Sequence, residues 1–280
     1  MTALRAGLIG DHISASRLSK ALAIMCEEAG LTLDFEMIDS ALDPAFDFDA
    51  TVAACRAKGW TGVTVTHPYK TAAAHLAGDE ADPVVSRLGA SNTLIFGPKI
   101  AAHNTDFSGF QGAWRHVFGP RTPGRVAMAG AGGVARAVGP ALADLGAEEI
   151  ALWDLEPDRA EALARVIGPK ARAIPASQAA EAIRAADGLV NATALGMTYH
   201  LGSAFDPKLI GPQRWAFDAV YTPTDTAFLI TAAEAGLDIL SGFDLFRFMA
   251  IASFEAYTGR SADTAATLTA LAPLRPQETP

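Results

Sequence analysis

Residues 124–137 read Gly124-Arg125-Val126-Ala127-Met128-Ala129-Gly130-Ala131-Gly132-Gly133-Val134-Ala135-Arg136-Ala137, and the other segments of the chain fall into place around them. Val126 to Ala129 is a short apolar run of the kind that forms a buried parallel strand. It stops at glycines spaced G-x-G-x-x-A, and an alanine-rich helical pattern continues to Leu145. Strand, tight turn and helix in that order can cradle a pyrophosphate. Gly130 would allow the turn, Gly132 would let the backbone approach the phosphates, and Ala135 would pack helix against strand. Ala131, Gly133 and Val134 complete the loop, and the helix N-terminus offers unpaired N–H groups and a positive dipole end. A second apolar run, Glu149 to Trp153, ends in Asp154, about twenty residues on, where a dinucleotide fold places the carboxylate that grips the ribose. The plainer reading of the same residues is a glycine-rich strand-to-helix turn without a cofactor.

Working outward, strands and helices alternate on both sides. Upstream, Leu4 to Ile9 is an apolar strand ending at Gly10, and Ser16 is placed to cap a helix from Leu18 to Ala29. Leu33 to Ile38 alternates as a strand, a helix runs from about Phe48 to Lys58, and Trp60 to Thr66 is strand-like. Pro68 is expected at the first position of a helix carrying Tyr69, Lys70 and Thr71 and continuing to about Leu88. Ser91 to Phe96 and Lys99 to Asn104 read as two strands around Gly97-Pro98. Downstream of Asp154 come a helix from Pro157, strands at Ala171 to Ile174, Gly188 to Asn191, Trp215 to Val220 and Leu237 to Leu240, and helices from Ser177 and from about Asp225. The helix from Phe243 to Tyr257 is apolar nearly all round and must be buried, which returning to the first domain would achieve. The tail after Gly259 is expected to be a loosely held end.

The fold class expected is therefore α/β with two domains. Residues 1–105, completed by a C-terminal helix over 243–260, would form an αβ substrate domain. Residues 106–242 would form a doubly wound, Rossmann-type dinucleotide-binding domain of about six strands. A net charge of -9 argues against nucleic acid or an anionic membrane as partner. Cys26 and Cys55 have no metal-ligand or redox spacing, and the six histidines are scattered, so no metal is expected and a reducing cytoplasm is. No N-terminal signal peptide or membrane-spanning run is read.

Lys70, after a strand end, and Asp106, in His103-Asn104-Thr105-Asp106 at the domain junction, are the candidates for proton transfer. A secondary alcohol that gives up hydride must also release a proton, so its site needs a base. Taken singly, each has a bland reading: a solvated lysine at a helix start and a capping aspartate. Ser14, Ser16, Thr66 and Asn92 are neutral hydrogen-bonding groups at strand ends, suited to a polyhydroxylated ligand or, individually, to caps and turns. Thr193, in Asn191-Ala-Thr193, lies where such sheets bind ligands.

Read together, Gly7-Leu-Ile-Gly10 with Ser16, Gly62-Val-Thr-Val-Thr-His-Pro-Tyr-Lys70, Gly89-Ala-Ser-Asn-Thr93, Asn104-Thr-Asp106, Gly130-Ala-Gly-Gly133, Asn191-Ala-Thr193 with Gly196-Met197, and Asp218-Ala-Val-Tyr221-Thr-Pro223 form an ordered set. The chain resembles the shikimate/quinate dehydrogenase family from about Leu4 to Gly259. The resemblance implies hydride transfer between a nicotinamide cofactor and the ring alcohol of a carboxylated cyclic polyol, with Lys70 and Asp106 as the catalytic pair. It also implies substrate contacts from Ser16, Thr66, Asn92 and Tyr221. Gly130 to Val134, Asp154 to Arg159, Ala219 and Gly242 would line the cofactor. Asp154-Leu155-Glu156 stands where NADP-preferring members resemble Asn-Arg-Thr, so NAD is expected over NADP. Leu18 and Met249 stand where the family has hydrogen-bonding side chains near the ring, and Thr64 where it has asparagine, so the ring specificity implied is open. A less hydroxylated cyclic acid and a non-catalytic dinucleotide sensor are the alternatives. Besides a small cyclic acid, the only further partner admitted is a second copy of the chain in a homodimer.

Overall fold

The computed structural model describes residues 3–78 and 81–276. The chain divides into two compact units, one holding the residues up to Thr105 and Met249–Leu274, the other Asp106–Phe248 and Arg275.

The first unit begins with β1 (Ala3–Gly10), α1 (Leu18–Glu28), β2 (Thr32–Asp39), α2 (Phe48–Ala57) and β3 (Gly62–Val65). α3 (Lys70–Ala77), α4 (Pro83–Leu88), β4 (Thr93–Phe96) and β5 (Ile100–His103) follow. The sheet order is β2-β1-β3-β4-β5. β1, β2 and β3 are mutually parallel, while β4 runs antiparallel to both β3 and β5. The carboxyl ends of β1, β3 and β5 and the amino end of β4 therefore share one edge. Beneath it lies a core of Ile9, Phe48, Val52, Trp60, Val63 and Leu94.

In the second unit, α5 (Thr105–Phe118) leads to β6 (Arg125–Ala129), α6 (Ala135–Asp144), β7 (Glu149–Trp153), α7 (Pro157–Ile167) and β8 (Ala171–Ala173). Then come α8 (Ala179–Ala185), β9 (Gly188–Asn191), β10 (Trp215–Asp218), α9 (Ala227–Glu234) and β11 (Asp238–Ser241). The six strands are all parallel in the order β11-β10-β9-β6-β7-β8. Numbered within the unit this is 3-2-1-4-5-6 read from the other side, the doubly wound order, with its switch point between β6 and β9. α5 is anchored on this sheet by aromatic contacts: Trp114 meets Trp215 edge-on at 4.8 Å and Phe110 meets Phe217 at 5.0 Å. Such pairs add to the burial energy of the rings.

α10 (Gly242–Thr258) and α11 (Thr264–Leu271) close the chain. Within the first unit, the Tyr257 hydroxyl on α10 pairs with Thr64 Oγ1 at 2.7 Å. Burial pushes the Tyr257 hydroxyl upward from its ordinary value, so it is a neutral structural group.

Four local expectations need correcting. Pro68 does not open α3: it follows a cis peptide from His67, and the helix starts at Lys70 behind Tyr69. The single helix expected up to Leu88 is two, because Gly78 ends α3 at φ +53° and Asp82 caps α4 by accepting from Val84 N–H at 2.8 Å. Asp79 and Glu80, which that expectation also spanned, lie outside the described residues. Ser16 is not the N-cap of α1; Arg17 is, and the Ser16 hydroxyl accepts from Leu18 N–H at 3.3 Å. The tail after Gly259 is not loose as far as it is described. Asp263 caps α11 through Ala266 N–H, and Leu268 and Leu271, one helical turn apart, are buried.

Candidate active site

Two strand edges carry the residues singled out by the sequence, one in each unit.

In the first unit, Thr66 follows β3, its N–H donating to Ile9 O at 2.9 Å and its carbonyl accepting from Tyr69 N–H at 2.9 Å. Lys70 is the first residue of α3 and is partly buried; its carbonyl accepts from Ser91 N–H at 2.8 Å. The next residue after Ser91, Asn92, is 2% exposed and its carbonyl accepts from Val65 N–H at 2.7 Å. These bonds gather Thr66, Lys70 and Asn92 at the edge shared by β3 and β4.

The Asn92 carboxamide is oriented from below. Its Oδ1 accepts from Thr105 N–H at 2.7 Å and from the Thr105 and Thr93 hydroxyls at 3.1 Å each. Thr105 Oγ1 lies 3.0 Å from Ser253 Oγ, whose single proton is placed to go either to it or to Met249 O at 2.9 Å. With Oδ1 saturated, Nδ2 makes no hydrogen bond among the described residues, which leaves it to donate to a ligand. Thr105 and Ser253 are not singled out by the sequence. Buried hydroxyls amid apolar neighbours carry little pattern, although Thr105 adjoins Asp106 and Ser253 lies one turn beyond Met249.

Ser14 is exposed on a short 3-10 turn (Ile13–Ala15) beyond β1, and Ser16 is partly buried just after it. The two sit at the carboxyl end of β1, on the same edge as Thr66. Leu18 is 2% exposed and so belongs to the interior side of α1, whereas Met249 is partly buried. Thr64, 5% exposed and bonded to Tyr257, is part of the core and not of the edge.

In the second unit, the carboxyl ends of five adjacent strands present the remaining residues. Gly130 follows β6 at φ +96°, and a Cβ there would lie 2.7 Å from the carbonyl carbon and oxygen of Ala192. Only glycine fits that close approach. A Cβ on Gly132 or Gly133 would meet nothing within 4 Å, so the loop faces open space that another molecule can enter. Ala131 is buried, and Val134, partly buried, occupies the N-cap of α6 without a side-chain cap. Backbone carbonyls take up part of its first turn: Arg136 N–H donates to Gly132 O at 3.2 Å and Ala137 N–H to Val134 O at 3.0 Å.

Beyond β7, Asp154 Oδ2 accepts from Ala131 N–H at 2.7 Å and Oδ1 from Glu156 N–H at 2.9 Å. Arg159, exposed in the first turn of α7, pairs with Glu156 at 2.9 Å. Beyond β9, Thr193 gives both its N–H, at 3.0 Å, and its hydroxyl, at 2.7 Å, to Asn191 Oδ1. Beyond β10, Ala219 N–H donates to Asn191 O at 2.9 Å, and Ala219 O lies 2.5 Å from where a Cβ on Gly242, after β11, would be. Tyr221 stacks on Phe246 with centroids 5.6 Å apart and planes 4° from parallel. Asp106 lies partly buried in the first turn of α5. The Asp154 carboxylate, the open glycine loop and the switch point together fit a dinucleotide. Among the described residues, no cluster of three or more His, Cys, Asp or Glu side chains could hold a metal ion. No helix there is long and apolar enough to cross a membrane.

A sequence profile of the shikimate dehydrogenase substrate binding domain matches residues 8–94. The quinate/shikimate dehydrogenase (NAD(+)) of Corynebacterium efficiens is 37% identical over 266 residues, which cover 92% of this chain and 93% of that protein. Quinate dehydrogenase from Corynebacterium glutamicum in complex with NAD superposes with a TM-score of 0.90 at 31% identity, covering 95% of this chain and 98% of its own. Shikimate 5-dehydrogenase from Thermus thermophilus, in complex with NADP(H) and shikimate, gives a TM-score of 0.83 at 32% identity, covering 95% and 98%. Fold and site define an α/β oxidoreductase of the nicotinamide-dependent class. The chain belongs to the shikimate/quinate dehydrogenase family.

Asp218 is a fully buried carboxyl next to this edge. It accepts from Asn191 Nδ2 and Val220 N–H, each at 2.9 Å, and from the Thr226 hydroxyl at 2.7 Å. Desolvation outweighs these bonds and raises its pKa from 3.8 to about 6. The folded state therefore holds this proton more tightly than the unfolded chain. The stability so gained is complete below pH 3.8 and is lost as pH rises through about 6. Urea unfolding across that window is expected to show the wild type losing stability relative to Asp218→Asn as pH rises. A difference between the two proteins that stays constant with pH would contradict the assignment.

Proposed function

We propose that the protein catalyses reversible hydride transfer between NAD and the ring secondary alcohol of shikimate, quinate or a close relative. The observation that carries this is the convergence on Asn92. Ser91 N–H holds the backbone of Lys70, and Asn92 Oδ1 holds Thr105, the residue before Asp106. Lys70 and Thr105 are thus both held within the first unit by the Ser91-Asn92 pair.

On this reading residues 1–105, with the C-terminal helix, bind the ring acid, and residues 106–242 bind the dinucleotide. A bound nicotinamide supplies the hydride acceptor. Lys70 Nζ takes the carbinol proton as the hydride leaves, and Asp106 orients Lys70 and the hydroxyl. Asn92 Nδ2, Thr66, Ser14, Ser16 and Tyr221 hold the ring substituents, and Tyr221 is kept flat by Phe246. Gly130 to Val134 receive the pyrophosphate, Asp154 the adenosine ribose, and Thr193, Ala219 and Gly242 line the nicotinamide end. Asp154 favours NAD because a 2′-phosphate would meet a like charge, and NADP is the poorer cofactor. The buried, unpaired Cys26 and Cys55 support a reducing cytoplasm.

Lys70→Ala is expected to lower kcat by about 10²-fold or more, with Asp106→Ala acting in the same direction and non-additively. NAD binding by the Lys70 variant should be retained. Near wild-type turnover in that variant would sink the assignment.

A second reading rests on Leu18, buried, and Met249, whose thioether lies 3.6 Å from Ser253 Oγ. Neither offers the ring a strong hydrogen bond, and each unpaired buried hydroxyl or carboxylate oxygen costs about 1–3 kcal/mol. The preferred substrate is then a less hydroxylated relative, with kcat/KM on shikimate lowered by about 10²-fold. Leu18→Ser/Met249→Gln should recover that loss with NAD on shikimate and quinate. A wild-type kcat/KM of about 10⁴ M⁻¹s⁻¹ or more, unimproved by the double replacement, would exclude this second reading.

A further inference from the structure

We infer that Glu156 is a second determinant of cofactor choice, acting by keeping Arg159 away from a 2′-phosphate. The inference rests on the NAD reading above and adds a residue and a device to it.

Three observations carry it. Arg159 is the cation of the Asp154–Arg159 segment, and the structure pairs it with Glu156 at 2.9 Å, three residues back. Glu156 is held at the N-cap of α7 because its own N–H donates to Asp154 Oδ1, so the Asp154 carboxylate fixes the backbone of the residue whose side chain pairs Arg159. Between them Leu155 is 99% exposed and offers no charge.

A 2′-phosphate entering here would meet the charge of Asp154, which the Ala131 amide holds in place. It would gain an arginine only by breaking the Glu156 pair, and it would leave Glu156 as a second like charge nearby. NAD, which brings hydroxyls in place of the phosphate, requires neither change. The Arg159–Glu156 pair is exposed, so it adds little to stability and can be opened without harm to the fold. That exposure also sets the size of the effect, since surface pairs are worth a few-fold in equilibrium terms and are screened by salt.

The test is a binding titration by tryptophan fluorescence with NAD and with NADP, needing no turnover, on wild type, Glu156→Gln, Arg159→Gln and the double variant. Glu156→Gln is expected to tighten NADP binding by about fivefold at low salt while leaving its NAD affinity within about twofold. In the Arg159→Gln background the same Glu156→Gln change should yield less than half of that gain, because the cation it releases is gone. Unchanged NADP affinity in Glu156→Gln would overturn the inference. An equal gain with and without Arg159 would also overturn it, since Glu156 would then act only as a bulk negative charge. Wild type binding NADP at least as tightly as NAD would instead overturn the NAD reading beneath it, and is read before any variant.

Discussion

The Asp154 carboxylate accepts one backbone amide from the glycine loop and one from the turn that opens α7, and much of the cofactor edge depends on that double acceptance. Ala131 N–H, at 2.7 Å, joins the end of β7 to the turn after β6. Glu156 N–H, at 2.9 Å, fixes where the next helix begins. Charge-assisted bonds of this kind are stronger than neutral ones. The remaining lone pairs of the same carboxylate are where ribose hydroxyls can donate. One side chain thus shapes the loop, starts a helix and places a negative charge between them.

The first unit solves a similar problem with neutral groups. Its edge is built around the Asn92 carboxamide, whose oxygen is saturated by Thr105 and Thr93 so that its nitrogen is presented outward. A neutral hub costs less to bury than a charged one and still has two donors on its nitrogen. Asn191 does the same in the second unit, taking Thr193 on its oxygen and giving its nitrogen to Asp218 and Leu195 O. Both asparagines therefore orient neighbours through the carboxamide oxygen, and Asn191 does so through its nitrogen as well.

The doubly wound sheet is readable from sequence because its cues are local: an apolar run, glycines at a set spacing and a carboxylate about twenty residues on. Residues Gly130, Gly132 and Asp154 carry that message by themselves. What escapes is set by contacts distant in sequence or by turn geometry. The start of α3 at Lys70, two residues after Pro68, is not announced by a proline alone. The Thr, Ala and Pro content of the tail masks α11, although Asp263 followed by Leu268 and Leu271 is a cap and an apolar stripe. The pairing of Arg159 with Glu156 is legible in an i,i+3 spacing, whereas Thr105 with Ser253 joins residues 148 apart in sequence. The roles proposed for Lys70, Asp106 and Ser16 are only weakly marked by residue type and placement and are sharpened by family resemblance, and that of Tyr221 rests on resemblance alone, because single polar residues at strand ends have ordinary structural uses.

Cofactor discrimination measures the central claim most directly, because it reads the Asp154 carboxylate through chemistry. Initial rates of quinate and shikimate oxidation by the wild-type protein, with NAD and with NADP as the varied substrate, give the two values of kcat/KM. NAD is expected to win by roughly a hundredfold, the size of a like-charge penalty of a few kcal/mol. Comparable or better kcat/KM with NADP would contradict the reading of the glycine loop and of Asp154 together.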